Sequence, residues 1–222
     1  KNDDELIGLN TNFRNSLFFN RGKQHHSTTY SFLLNESQNL LSVGSVLAKN
    51  QSHQVQYQHL VKKSWLFNFS GSTTSTESTS ENYPNRNFEI DGYQIEPKIG
   101  YLFSKNASWD IFYEFQQKEN QIGAFETLKQ TRLGTSFTFN SEKGFSMNGE
   151  FSMYNNSYDG NALSAVGFQM LEGLQPGKNQ TWRLLLQKNL TQYLDVNINY
   201  QGRNSETSKT IHTGNVQLRA FF

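Results

Sequence analysis

The stretch YLDVNINYQGR, residues 193–203, decides how the rest of the chain is read. Leu194, Val196, Ile198 and Tyr200 fall on one face of an extended segment. Asp195, Asn197, Asn199 and Gln201 fall on the other. Strict alternation of this kind marks a β-strand with one apolar and one polar side. The pattern recurs in both directions along the chain. WDIFYEFQQK sets Trp109, Ile111, Tyr113 and Phe115 against Asp110, Glu114 and Gln116. SWLFNFSG sets Trp65, Phe67 and Phe69 against Asn68 and Ser70. VQYQHLV repeats it with Val55, Tyr57 and Val61, and GFSMNGEFSM with Phe145, Met147, Phe151 and Met153.

Two architectures are built from such strands. A soluble sandwich turns the apolar faces into a shared core. An outer-membrane barrel turns them out to lipid and keeps the polar faces in the lumen. Three features favour the barrel. The polar faces are rich in Asn, Gln, Ser and Thr, and only 18% of the chain is charged. The isolated charges Glu96, Lys98, Asp110, Glu114, Arg132, Glu150, Arg183, Asp195 and Arg219 are nearly balanced, which predicts a lumen network that braces the wall. A pore selective for one ion sign would carry a one-sided bias. Aromatic residues gather at strand ends, with Trp65, Trp109 and Tyr193 opening strands and Tyr101, Phe103 and Phe139 closing them. They are expected to form a girdle at the periplasmic headgroup level. Finally, short connections alternate with longer polar ones, the longest expected around residues 72–87. Barrels of this type have short periplasmic turns and longer outer loops.

The expected fold is therefore an all-β antiparallel transmembrane barrel, one domain over residues 1–222. Strands are read near 6–20, 27–34, 40–61, 64–73, 87–103, 108–118, 127–139, 144–155, 163–188, 192–203 and 210–222. The 163–188 stretch exceeds one crossing, which takes roughly 9–11 residues. Its upper half reads as an outer extension or hairpin, with a turn at Pro176-Gly177. The apolar parity switches near Gly92, which predicts a β-bulge there. Single-chain bacterial barrels have even strand numbers. An odd count leads to the expectation that a strand or a periplasmic region lies upstream.

Composition narrows the function classes. A formal charge of +1 argues against a nucleic-acid binder that works by bulk basicity. With no cysteine there is neither a disulfide framework nor a thiolate metal site. Aromatics at 14% fit poorly with disorder despite the negative mean hydropathy. No apolar run is long enough for a transmembrane helix.

Several blocks taken together, LFFNRGK, QNLLSVGS, YPNRNFEIDGYQIEPKIGYLF, FQMLEGLQPGKNQTW and IHTGNVQLRAFF, resemble the C-terminal barrel region of large outer-membrane proteins of Bacteroidota, especially flavobacteria. The resemblance covers nearly the whole chain. It implies an integral outer-membrane location and a periplasmic N-terminal region, and it supplies no catalytic residue.

The search for chemistry agrees with that. His25 and His26 sit in a turn with no carboxylate close in sequence, and His53 and His59 share a face with Val55 and Tyr57. His25 and Ser27 are the nearest His/Ser pair, again in a turn, and no third group orients them. No enzyme, cofactor or metal site is expected. The last strand, GNVQLRAFF, places Val216, Leu218, Ala220 and Phe222 on the apolar face. A terminal aromatic on such a strand resembles the signal read by the outer-membrane insertion machinery. The expected role is a structural or accessory subunit of an envelope complex, in outer-membrane assembly or secretion. Its partners would be outer-membrane lipid and other envelope proteins. A transport channel or porin is the alternative, and a surface barrel enzyme the remote one.

Overall fold

The alternation becomes eleven strands. The computed structural model describes residues 8–21, 25–41 and 44–221. The strands are β1 (Gly8–Phe19), β2 (His26–Leu41), β3 (Gly44–Val61), β4 (Trp65–Ser80), β5 (Phe88–Ser104), β6 (Ala107–Asn120), β7 (Thr127–Ser141), β8 (Phe145–Asp159), β9 (Gly177–Thr191), β10 (Leu194–Ser205) and β11 (Ser208–Ala220). They form one antiparallel sheet in chain order, each strand pairing with its neighbours in sequence. Among the described residues no pairing joins β1 to β11. This is the all-β class that the alternation demands.

Register sorts the side chains into two faces. Opposite residues of an antiparallel pair lie on the same side, so matched rows can be followed across the sheet. One row runs Trp65–Tyr101–Trp109–Phe137 and the next Phe67–Ile99–Ile111–Thr135–Phe151. Tyr113, Leu133 and Met153 form a third. Most of these large apolar side chains stay nearly half exposed, with Tyr101 and Phe137 more covered. The alternate rows carry Asp110, Glu114, Arg132 and Ser152, and there Glu114 and Ser152 are buried. An apolar outside and a polar inside invert the soluble sandwich, and this is the cross-section of an outer-membrane barrel wall.

The core follows from one connection. Between β8 and β9 the chain forms a helix, α1 (Ala165–Leu171), where an outer hairpin was expected. Ser164 caps it, its Oγ accepting from the Gly167 N–H at 2.9 Å. Glu172 and Gly173, at φ of 53° and 78°, end it in the left-handed region. Val166, Met170 and Leu171 share one side and pack on Ile90 and Leu128 of the inner sheet face. The i, i+4 spacing of Val166 and Met170 is the helical signal that competed with the strand reading. The same contact removes the bulge expected at Gly92. Pairing of β4 with β5 runs through this position without a register shift. The parity switch exists because Phe88 and Ile90 face α1 rather than lipid.

Other expected boundaries also move. The Ser/Thr run read as the longest loop is mostly strand, because β4 continues to Ser80 opposite β3. β-branched threonine fits a pleated surface as readily as a loop. Only 81–87 connects β4 to β5, with a short 3-10 turn at Pro84–Arg86. β2 likewise runs to Leu41, seven residues past the expected end at 34.

Gly134 marks a tight approach on the inner face. A Cβ there would fall 2.2 Å from Phe112 Cζ and 2.8 Å from Ser152 Oγ. Phe112 is its cross-strand partner and uses the missing side chain as its seat. Gly134→Val is expected to destabilise by about 2 kcal/mol, as overpacked cores do. A lowered urea midpoint with an unchanged slope would show it, and an unchanged midpoint would refute the seating.

Candidate functional site

Inward parity brings the charges of β5 to β8 together. Arg132 is the hub. Its Nη1 lies 3.4 Å from Glu114 Oε2, its Nη2 pairs with Glu150, and its Nε donates to Ser152 Oγ at 3.1 Å. The guanidinium also sits 4.6 Å from the Phe112 ring centre and 5.3 Å from that of Tyr154. Planar stacking with simultaneous forked donation is what arginine supplies and lysine does not. A second pair, Lys98–Asp110 at 3.6 Å, is extended by Ser136, whose hydroxyl donates to Asp110 at 3.3 Å. Five of the nine expected network residues thus meet. Glu96, Arg183, Asp195 and Arg219 lie in the inward rows, but among the described residues they form no ion pair. Asp195 and Arg219 stand opposite each other in register, and Arg183 stands opposite Glu150, whose carboxylate goes to Arg132.

Another group of inward side chains holds the α1 connection in place. Lys118 Nζ donates to the Met170 carbonyl at 3.2 Å and to the Glu172 carboxylate. Asn156 and Asn179 both donate to the Gln175 carbonyl, at 3.0 and 2.7 Å. Arg203 Nη1 reaches the Gly173 carbonyl at 2.9 Å. Lys118 shares the parity of Asp110 and Glu114 on β6, so its inward direction is readable from the sequence; its partner is not.

The aromatic residues cluster at the end of the sheet with the short turns 62–64, 105–106, 142–144 and 192–193. Trp65 meets Tyr101 edge to face at 4.9 Å, and Tyr101 meets Phe103 at 4.9 Å. Trp109 is in register with Tyr101 and donates from Nε1 to Thr135 Oγ1 at 2.6 Å. Phe139 packs near Phe145 at 6.0 Å, and Tyr193 sits exposed in the β9–β10 turn. Val216, Leu218 and Ala220 lie on the outer face opposite Ile198, Val196 and Leu194. Phe222 lies outside the described residues.

The histidines are spread over the sheet. His26 stands opposite His59, His53 bonds to the Tyr30 hydroxyl at 2.8 Å, and His212 to that of Tyr200 at 2.8 Å. Among the described residues no three His, Asp or Glu side chains converge as a metal site would need.

No family model and no curated protein matches the sequence. Among solved structures, the chain is similar to the translocator domain of the autotransporter NalP from Neisseria meningitidis, at 10% identity and a TM-score of 0.43, covering 97% of this chain and 82% of that one. It is also similar to the β-domain of the Bordetella autotransporter BrkA, at 8% identity and a TM-score of 0.48, covering 97% and 90%. A third is the KdgM porin in complex with disordered oligogalacturonate, at 10% identity and a TM-score of 0.42, covering 96% and 100%.

Proposed function

We infer that this chain is the membrane-spanning wall of an outer-membrane protein, of the Bacteroidota kind its sequence blocks resemble. Its role is structural or accessory within an envelope complex that assembles or secretes proteins, without catalysis of its own. The observation that carries this reading is the inner face from β5 to β8. Five of its charges, Lys98, Asp110, Glu114, Arg132 and Glu150, are engaged with one another, and α1 packs against the same face at the long-loop end, which carries the connections 81–87, 121–126 and 160–176. Such a wall is braced and part-filled rather than kept clear for ions. The short-turn end, with its aromatic girdle, is assigned to the periplasmic side.

The first test is cheap. Folded protein should need detergent and should migrate faster on a gel unheated than boiled. Full solubility without detergent would overturn the membrane assignment. Planar bilayers and gentle pull-down then address the role. The expected results are no stable open pores and recovery of envelope proteins at fixed stoichiometry. Stable pores of large conductance, or recovery of the chain alone, would overturn the accessory role.

A further inference from the structure

The inner face is not uniform. From β5 to β8 it is ion-paired, whereas among the described residues Arg14 is the only charge in the inward rows of β1 to β4. At the long-loop end those rows present Asn10, Asn12, Asn35, Ser37, Asn50 and Thr76 to an open chamber of about 580 Å³. Its volume lies within the range of about 300–1,000 Å³ usual for small-molecule sites. Gln169 of α1 also lines the chamber, and Phe88 borders it with an apolar surface. Glu36, Lys49 and Glu77 also border it, but they belong to the alternate row. There they are cross-strand neighbours, and their side chains point to the outer face.

The chemistry of the lining is specific. Every inward group in that set can both donate and accept a hydrogen bond. Asn12 donates to Asn35 at 2.6 Å, fixing two of the amides side by side across the strands. Among the described residues, no inward side chain of the lining offers an ionised ligand a counter-charge. An apolar ligand would strip water from amides and leave them unpaired. A sugar chain matches both parts, with vicinal hydroxyls for the amides and C–H faces for Phe88.

We propose that this chamber binds an uncharged polyhydroxylated ligand, a free oligosaccharide, through the Asn, Ser and Thr side chains of β1 to β4. This goes beyond the accessory role, and its test is read by binding alone.

The protein, shown to be folded by its heat-modifiable mobility, is titrated calorimetrically in a detergent that lacks a sugar headgroup. The probes are maltohexaose, xylohexaose and chitohexaose, with a heparin hexasaccharide as the charged counterpart and lipooligosaccharide as the lipid-anchored one. At least one neutral hexasaccharide should bind saturably and the heparin fragment should not. Combining Asn12→Ala with Asn50→Ala should weaken binding roughly tenfold or more, because two amide contacts are lost. Lys49→Ala, on the outer face, should leave it within about twofold, as exposed charges usually do. The proposal falls if the folded protein binds no neutral hexasaccharide or if the double variant binds as tightly as the parent. Equal binding of the heparin fragment, or binding confined to lipooligosaccharide, would also overturn it.

Discussion

Replacing Arg132 with alanine is expected to lower stability by about 3 kcal/mol, within the range for removing one partner of a buried ion pair. Glu114 explains the size of the loss. Its side chain is only 8% exposed and Arg132 is its ion-pair partner. With the guanidinium gone, the carboxylate stays on a packed face beside Phe112 and Ser152. Glu150, at 43% exposure, can turn to water and contributes less. The measurement is a urea unfolding midpoint in detergent or vesicles. The double variant Arg132→Ala with Glu114→Gln separates two causes. If the orphaned carboxylate dominates, the second change recovers a large part of the loss. If recovery fails, the loss lies in the stacking on Phe112 and Tyr154 instead.

The second large effect belongs to the opposite face. Leu133→Arg places a charge between Tyr113 and Met153, one row from Ile111 and Phe151 on one side and from Phe115 on the other. A cation at the bilayer midplane of a barrel costs about 2–4 kcal/mol. Gln117→Arg, two rows nearer the long-loop end beside Tyr93 and Lys129, lies beyond the apolar band and should be nearly neutral. Folding efficiency into phospholipid vesicles reads both variants. Equal folding of the two would mean that this face does not meet lipid.

Most of the wall was legible in the sequence because a period of two needs no tertiary information. YLDVNINYQGR specifies its own two faces, and the expected order of eleven strands matches the sheet one for one. The network was legible only as parity. Glu114 and Arg132 could be placed on one face, but which carboxylate Arg132 takes depends on register between strands, and register is not written in either strand alone. α1 was misread for a related reason. Its apolar residues bury against Ile90 and Leu128, which lie far back in the chain, and that long-range contact decided between helix and hairpin. The bulge expected at Gly92 came from the same contact, since Ile90 looked out of phase only while its partner was unknown. The chamber was hidden too. Asn10, Asn35, Asn50 and Thr76 are unremarkable polar residues until four strands and a helix face one another.

The order of contacts around α1 also bears on how the protein assembles. Its apolar partners Phe88, Ile90, Leu128 and Tyr158 all precede it in the chain. Arg203, on the Gly173 carbonyl, comes later. A growing sheet that has reached β8 already holds the surface on which the helix seats, so docking need not wait for β9 to β11. Arg203 of β10 fastens the segment from the far side. Any assembling sheet that holds β5 to β8 therefore has the full apolar seat for α1, and its mouth need not stand empty while the other strands join.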